Sequence, residues 1–342
     1  MKTLVLLLLL LTNLLSLDNY HYINKTYYMT TEAQLKKSYS SVIEPYFFSH
    51  KLSYFKSYDG LDIAYKIFKV DNAKANLVIS SGRTEGMFKY PELIYDLNKN
   101  GYSVYIMDHR GQGYSQRMLK DSQIGHVVDF NDYVKDLHYF VSNFVPKDKK
   151  RVLIGHSMGG AIASLYVEEY PSDFTGLVLS SPMHQAKIIS TSLSSFSCGL
   201  LEKREHDIDR YVIGEVSYDD TDWNFDTNVL THSKNRFEIT KKAFDKEPRT
   251  KLGGPSVRWV EQACLAGKRS ITNANKIKIP TLLLQAQEDK IVNKEPQLEF
   301  CMNAAPYCIA YQIDGAYHEL FVEKDSIRQR VLSALLYFIS KI

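Results

Sequence analysis

The sequence predicts an α/β fold in which helices cover both faces of a mostly parallel central sheet. Short, almost wholly apolar runs alternate with longer amphipathic stretches from residue 51 to the end. Continuous apolar runs are typical of strands buried on both faces, and strands that alternate with helices are typical of parallel sheets. The alternation stops between residues 183 and 278, which are rich in polar and aromatic residues. We therefore expect a mainly helical cap inserted into the α/β core.

The first 17 residues have the composition of an export leader. Lys2 precedes an apolar run from Leu4 to Leu11, which is brief for a bilayer span. The end of the leader lacks a good cleavage site, because Ser16 is the only small residue near it. Two interpretations stay open, a signal peptide or a membrane anchor. Both favour an exported protein, periplasmic or membrane-associated, over a cytoplasmic one.

The remainder divides into an extension, a core and the cap. Residues 18–50 form a polar and aromatic N-terminal extension, with a predicted helix around Thr31 to Ser41. The α/β core is predicted as residues 51–182 and 279–342, and the cap insertion as residues 183–278, with a helical fragment at 237–244.

The core elements follow one another in the order of a parallel sheet. Two alternating strands joined at Asp59-Gly60 begin it. A later helix has Pro91 in its first turn and Gly101 just past its end. The other predicted strands are 75–81, 103–108, 151–156, 175–181, 281–287 and 307–313, and the other predicted helices are 130–144, 158–170 and 327–339.

Composition excludes some function classes. The net charge is only +3 with mixed signs throughout, so no nucleic-acid surface is indicated. No Cys-x-x-Cys and no His/Cys cluster with metal-ligand spacing is present, and we expect neither a metal nor a cofactor.

The four cysteines are an even number in a chain with an export leader. Cys301 and Cys308 flank the turn before the last strand, whereas Cys198 and Cys264 both lie in the cap. We predict one disulfide within each couple. The alternative, for a protein that stays in the cytoplasm, is four buried free thiols.

A serine motif lies directly between a predicted strand and a predicted helix. Gly155-His156-Ser157-Met158-Gly159 matches G-x-S-x-G. In this context the serine occupies a strained strand-to-helix turn that exposes its Oγ, and the glycines let neighbouring backbone approach closely. The motif and its setting predict the α/β-hydrolase fold, with Ser157 as nucleophile.

A serine hydroxyl needs a base that is oriented by a third group, and in this fold the chain order is serine, acid, histidine. Asp289 follows the strand 281–287 and is the predicted acid, with its neighbour Glu288 as the alternative. Asp289 is favoured because the apolar pair after Lys290 can dock the loop. His318 follows the last predicted strand and precedes the last helix, where the histidine of such a triad belongs.

Backbone N–H groups are expected to form the oxyanion hole. The helix that starts at Met158 presents free N–H groups to the reacting carbonyl oxygen. The loop after the strand 75–81 should supply a second donor, and the N–H of Arg83 is our candidate.

The segment DHRGQGYS (108–115) ends a predicted strand. Its glycines allow a tight turn, and Asp108 and Arg110 can hydrogen-bond backbone near the serine turn. We interpret this segment as structural and not catalytic.

Taken together, these motifs resemble one group of serine hydrolases. GRTEG with KYPELIYDL, DHRGQGYS, GHSMGG, QED and YHEL are similar to bacterial membrane-associated lysophospholipases, as are the cap segments NVLTHSKNRF and GGPSVRWVEQA. These belong to a wider set that includes monoacylglycerol lipases and the serine aminopeptidase group. The resemblance covers about residues 45 to 340 and implies removal of the remaining acyl chain from a lysophospholipid. One departure is Ser81-Gly82, where monoacylglycerol lipases commonly open with His-Gly.

Three functions therefore compete: a lysophospholipase, a monoacylglycerol lipase or general esterase, and an inactive binding protein on a hydrolase scaffold. The complete triad argues against the third, because a binding protein has no need of all three groups. The expected partners are a lysophospholipid or monoacylglycerol substrate and a membrane surface. The sequence does not indicate an oligomeric state.

The side chain of Arg83 has two candidate roles, because it leaves from the rim of the expected site. A guanidinium there can contact the substrate phosphate through charge-assisted hydrogen bonds. The alternative is an ion pair with Glu85 that only stiffens the loop.

Overall fold

The centre of the molecule is an eight-stranded sheet, and the computed structural model describes residues 27–187 and 208–342. In space the strands follow the order β1-β2-β4-β3-β5-β6-β7-β8. Strand β2 pairs antiparallel with β1 and β4, and every other pairing is parallel. The strands are β1 (Ser53–Lys56), β2 (Asp62–Phe68), β3 (Asn76–Ser80), β4 (Ser103–Met107), β5 (Arg151–His156), β6 (Gly176–Ser180), β7 (Thr281–Ala286) and β8 (Cys308–Ile313). The predicted mostly parallel sheet is confirmed.

Helices cover both faces of this sheet. They are α1 (Glu32–Ser38), α2 (Glu44–Ser49), α3 (Pro91–Lys99), α4 (Asn131–Phe144), α5 (Met158–Glu169), α6 (Lys234–Lys246), α7 (Val257–Asn273), α8 (Glu295–Asn303) and α9 (Asp325–Lys341). In the N-terminal extension, the helix predicted from Thr31 to Ser41 begins one residue later, because Thr31 caps it, and it continues as a π-helical turn at Tyr39–Ile43. The fragment predicted at 237–244 lies within α6.

The apolar strands explain why both faces are covered. Every residue of the five strands β3 to β7 is buried. Along β3, Val78 belongs to one core cluster while Leu77 and Ile79 belong to the other, as the period of two in a strand requires. Helices α4 and α5 supply the first cluster, and α3 and α9 the second. Strands buried on both sides cannot show the alternation of a half-exposed sheet.

The insertion lies between β6 and β7. Its described part contains α6, α7 and short 3₁₀ turns, and α7 packs against α5 and α8. Trp259 of α7 reaches into the core, where its indole N–H donates to the hydroxyl of Tyr133 at 3.2 Å. The C-terminal part of the insertion is therefore fixed on the core.

A buried arginine joins α6 to the rest of the molecule. The Arg236 guanidinium donates to the carboxylates of Glu92 on α3 and Asp325 on α9, each at 2.9 Å, and to the carbonyl of Thr30 at 3.2 Å. A charge buried to this degree is stable only when it is paired and hydrogen-bonded, as this one is. The insertion, the N-terminal extension and two core helices thus share one guanidinium.

The predicted disulfide between Cys301 and Cys308 is confirmed and joins α8 to β8. Cys198 lies outside the described residues, so its predicted pairing with Cys264 stays a prediction. The leader, residues 1–17, also lies outside the described residues.

Candidate active site

The serine turn joins β5 to α5 at the carboxyl edge of the sheet. Ser157 has φ 52° and ψ −119°, a conformation that non-glycine residues rarely adopt. A side chain at Gly159 would clash with the carbonyl oxygen of Ser80, so the helix can approach β3 only because this residue is glycine. Backbone strain and close packing together hold the serine above the strand ends, beside the start of a helix.

Ser157, His318 and Asp289 are joined by two hydrogen bonds. Nε2 of His318 lies 2.9 Å from Oγ of Ser157, and its Nδ1 lies 2.7 Å from Oδ2 of Asp289. An ionised carboxylate can only accept, so Nδ1 carries the hydrogen and Nε2 is left to accept from the serine. All three side chains are buried. The structure thus brings together the three residues that the sequence singles out, and their orientation permits proton transfer from the serine to the imidazole.

The acid is fixed by the loop after β7. Oδ1 of Asp289 accepts the N–H groups of Ile291 and Val292, at 2.8 and 2.9 Å, and the side chain of Val292 is fully buried. Burial alone would raise the pKa of Asp289, but the hydrogen bond from His318 and these two N–H groups lower it below its ordinary value. The alternative acid, Glu288, is exposed. Only Asp289 of the two contacts the histidine.

In the described part of the chain, the backbone N–H groups of Arg83 and Met158 donate no hydrogen bond to the protein. Met158 is the first residue of α5, whose opening N–H groups have no partner within the helix. Arg83 lies in the loop after β3, residues 81–86, called here the β3 loop. Strands β3 and β5 are neighbours whose connections leave in opposite directions, and ligands bind at such a switch point in open α/β sheets. Arg83 follows β3 and Met158 follows β5, the two strands of that point.

The β3 loop is held by Gln112, to which the sequence analysis gave no role, and the residue after the loop is held by Asp108. The amide of Gln112 donates to the carbonyls of Gly82 and Glu85, at 2.7 and 2.9 Å. The carboxylate of Asp108 accepts the N–H of Met87 at 2.6 Å. Asp108 therefore hydrogen-bonds backbone, as the sequence analysis expected of this segment. The position of Gln112 between Gly111 and Gly113 is the feature of the sequence that could have indicated its role in the β3 loop.

Arg110 does not contact backbone near the serine turn, and that expectation was wrong. Its guanidinium instead pairs with Asp136 of α4 at 2.7 Å and with Asp59 of the first hairpin at 2.8 Å. With Asp132, three carboxylates pair with this buried charge.

A buried charge cluster connects the β3 loop to the loop after β8. Lys89 pairs with Glu85 at 2.6 Å and also with Glu319, next to His318. Burial alone would raise the pKa of Glu85, but the Lys89 charge lowers it, to about 2. Burial lowers the pKa of His156 to about 4, so this neighbouring imidazole is neutral at pH 7. The cluster ties the loops together through ion pairs and does not compete for the serine proton.

The Arg83 side chain extends toward the insertion. Its Nη2 donates to the carbonyl of Gly253 at 2.6 Å, and the guanidinium lies 5.2 Å from the ring centre of Trp259. The expected alternative, an ion pair with Glu85, was wrong, because Glu85 is engaged by Lys89 and by the N–H of Gly82. Burial lowers the pKa of Arg83 to about 10, which leaves it charged at neutral pH.

Within residues 27–187 and 208–342, no cluster of His, Cys, Asp or Glu side chains could hold a metal ion. In the same ranges, no helix combines the length and apolar character needed to cross a membrane.

The sheet order, the strained serine turn and the histidine after the last strand define an α/β-hydrolase-fold protein. A family model described as serine aminopeptidase, S33, matches residues 71–325. The chain belongs to this family.

Relatives and solved structures agree with this placement. The chain is 36% identical to lysophospholipase L2 of Escherichia coli over 299 residues, which covers 84% of this chain and 86% of that protein. It is 30% identical to a monoglyceride lipase of Rattus norvegicus, over 78% of this chain and 82% of the relative. A soluble variant of the monoglyceride lipase from Saccharomyces cerevisiae, solved with a substrate analogue, matches with a TM-score of 0.67 at 20% identity, over 85% of this chain and 94% of that one. The predicted fold is confirmed, and the chain is a carboxylic-ester hydrolase.

Proposed function

We propose that this hydrolase removes the acyl chain of a lysophospholipid through a covalent acyl-enzyme on Ser157. The observation that carries the proposal is the pair of hydrogen bonds that links Ser157, His318 and Asp289 at the carboxyl edge of the sheet. The relatives named lysophospholipase support the substrate class.

In the first half of the reaction, Oγ of Ser157 attacks the ester carbonyl while its proton passes to Nε2 of His318. Asp289 holds the imidazole tautomer and stabilises the imidazolium. The N–H groups of Arg83 and Met158 donate to the tetrahedral oxyanion. The ester C–O bond then breaks, and Nε2 returns its proton to the oxygen of the leaving glycerophospho-alcohol.

In the second half, water takes the place of the alcohol. Nε2 of His318 accepts a proton from the water while its oxygen adds to the acyl carbonyl. The tetrahedral intermediate then collapses, Oγ of Ser157 leaves and regains the proton, and a fatty acid is released. Atoms and charges balance without a cofactor.

Arg83 is the candidate contact for the substrate phosphate. Its Nε is buried and has no hydrogen-bond partner among the described residues. Burial lowers the pKa of this guanidinium, although the charge of Glu215 in the insertion raises it. A buried cation with an unsatisfied N–H group is costly, and an anionic ligand would relieve that cost. A phosphate accepts from a guanidinium through charge-assisted hydrogen bonds. The cation is therefore available for a head group, although Nη2 is shared with Gly253.

The proposal includes export, which the leader sequence favours, and contact with a membrane surface, because the proposed substrate is a lipid. Ile213 and Val216 of the insertion are 82% and 65% exposed. Exposed apolar side chains close together are typical of surfaces that contact lipid or protein. The acyl pocket is assigned mainly to the same insertion.

The test compares kcat/KM for lysophosphatidyl esters, monoacylglycerols and short nitrophenyl esters with one enzyme preparation. We expect the lysophosphatidyl esters to be preferred. A clear preference for monoacylglycerols would favour the second candidate, a monoacylglycerol lipase, which the resemblance to the rat enzyme supports. A fluorophosphonate probe should label Ser157. If it does not label Ser157 in folded protein, the nucleophile assignment is wrong.

A further inference from the structure

The insertion forms hydrogen bonds to the loop that carries His318, and this set of contacts is called here the grip. This histidine loop, residues 314–324, connects β8 to α9. The segment of the insertion that makes these contacts, residues 228–233, directly precedes α6 and is called here the gripping segment. Nothing in the hydrolase mechanism requires the insertion to contact the loop that carries the base.

Three groups of hydrogen bonds form the grip. The N–H of Glu319 donates to the carbonyl of Leu230 at 2.9 Å, and the hydroxyl of Thr231 donates to the carbonyl of Val322 at 2.7 Å. Both bonds fix backbone of the histidine loop, one of them at the residue directly after His318. The third group centres on a carboxylate.

Glu323 is the hub of that third group. Its side chain is fully buried, and it accepts the N–H of Tyr317 at 2.8 Å, directly before His318. It also accepts the N–H of His232 at 3.1 Å and lies 2.8 Å from Nδ1 of the same histidine. The carboxylate therefore ties the residue before the base to the insertion. The ring of His232 stacks on that of Tyr317, with centroids 3.8 Å apart.

The gripping segment is itself rigid. Oδ1 of Asn228 accepts the N–H groups of Leu230 and Thr231, each at 3.0 Å. The hydroxyl of Ser233 caps α6 and donates to Glu32 of α1 at 2.5 Å. A segment fixed at both ends can impose a position on the loop that it touches.

We propose that residues 228–233, and His232 above all, are positioning residues that hold the His318 loop at hydrogen-bonding distance from Ser157. The proposal rests on the proposed triad mechanism. Reaction rates depend steeply on the alignment of the reacting groups, and a displacement of about 1 Å can cost roughly a hundredfold in rate. The insertion thus acts on the base as well as on the substrate.

The molecule contains a matched control for this contact. His138 of α4 stacks on Tyr170 with the same centroid distance, 3.8 Å, and its Nδ1 lies 3.4 Å from Asp173. This second histidine has an aromatic partner and a carboxylate partner but no contact with the histidine loop. His138→Ala therefore shows how much kcat falls when a histidine with such partners is lost away from the histidine loop.

The experiment measures kcat and KM on a nitrophenyl ester for His232→Ala, His232→Asn and His138→Ala, together with amide hydrogen exchange. We expect His232→Ala to lower kcat roughly tenfold to a hundredfold with KM changed less than about twofold. The amides of Tyr317 and Glu319 should exchange faster. Asn places an amide N–H near the position of Nδ1, so His232→Asn should restore most of the lost kcat. His138→Ala should leave kcat within about twofold of the wild type.

Several outcomes would overturn the proposal. A kcat for His232→Ala equal to that of His138→Ala would do so, and so would a raised KM at unchanged kcat, which would place the segment in the substrate pocket. If His232→Ala does not fold, Thr231→Val takes its place. At nearly constant volume it removes the bond to the carbonyl of Val322 and the bond that the same hydroxyl accepts from the N–H of Ser233. Failure of the triad mechanism can be told apart from failure of this proposal. In the first case the fluorophosphonate probe would not label the wild-type protein, whereas the hydrogen-exchange measurement would still show whether residues 228–233 hold the histidine loop.

Discussion

The serine turn and the insertion differ in how far apart in sequence their contacting residues lie. At the serine turn, five consecutive residues set the strain, the close packing and the free helix N–H. In the insertion, the decisive contacts join residues 91, 170 and 201 positions apart: Thr231 with Val322, Arg83 with Gly253, and Ser233 with Glu32. Chemistry that is encoded locally can be recognised from a motif. The positioning of that chemistry depends on distant pairs that no motif contains.

The largest effect should come from the local side of this comparison. Ser157→Ala and His318→Ala should each lower kcat roughly a thousandfold or more with the fold intact, because triad members act as a unit. Asp289→Asn should cost about as much, since the wrong imidazole tautomer is then held. Steady-state kinetics with circular dichroism of each variant checks this. Glu288→Gln is the control, and a severe loss there with a mild Asp289→Asn would reverse the acid assignment.

The next effect tests whether Arg83 belongs to the substrate or only to the insertion. Arg83→Gln keeps the backbone N–H and a side-chain amide donor but removes the charge. We expect kcat/KM for a lysophospholipid to fall roughly tenfold to a hundredfold, the size of a lost charged hydrogen bond, and that for a monoacylglycerol to hardly change. Arg117 offers a control, since it donates to the carbonyl of Arg249 in the insertion at 2.9 Å. An equal loss on both substrates would mean that Arg83 only supports Gly253.

A smaller effect is expected at two exposed apolar side chains of the insertion. Ile213→Asp and Val216→Asp should weaken binding to phosphatidylethanolamine–phosphatidylglycerol vesicles by roughly fivefold or more, because apolar contact is replaced by charge. Sedimentation with vesicles measures this, and hydrolysis of a soluble nitrophenyl ester should be unchanged. Met302 of α8 is 69% exposed and serves as the control. If Met302→Asp weakens binding as much, the insertion has no special role at the membrane.

The smallest effect concerns the contact between α5 and α7. Burial raises the pKa of Glu168 to about 9, against an ordinary 4.5, and its Oε1 has no partner within the described residues. Below pH 4.5 the folded and unfolded states are both protonated. As pH rises toward 9, only the unfolded state loses its proton, so the folded state becomes relatively less stable. Glu168→Gln should therefore raise Tm by about 3 °C or more at pH 8 and leave it unchanged near pH 4.

Thermal melts at both pH values check this, with the exposed neighbour Glu169→Gln as control. A Tm gain for Glu168→Gln that is the same at both values would show that Glu168 is not held neutral by burial.

The sequence predicted most of the core, for reasons visible in particular residues. Apolar runs such as β3 and β5 are stable only when both of their faces are buried, which places them inside the sheet. The position of Ser157 after β5 follows from the G-x-S-x-G motif between a strand and a helix. Asp289 could be preferred over Glu288 because the apolar Val292 had to be buried, and it is. Local signals of this kind were sufficient to choose the three residues that the structure joins by hydrogen bonds.

The partners of Arg83 and Glu85 could not be found in this way. An arginine and a glutamate two positions apart predict an ion pair, whereas in the structure each turns to a partner from another element, Gly253 and Lys89. The contacts of His232 with Glu323 were equally hidden, because a histidine in a polar segment has no local signature. Which charges pair inside a protein depends on which elements the fold brings together.

The sharing of Arg236 among α3, α6, α9 and the carbonyl of Thr30 has a consequence for how this protein can be recombined with its relatives. An exchange of residues 183–278 alone would bring in a foreign α6 while keeping the native carboxylates and extension. Unless the donor has an arginine in register, the partly buried Asp325 would lose this cation and the buried Glu92 would keep only Arg328. A functional chimaera should therefore exchange four discontinuous pieces together: the N-terminal extension, α3, the insertion and α9. These pieces, and not the insertion by itself, are the unit that can be transferred between relatives.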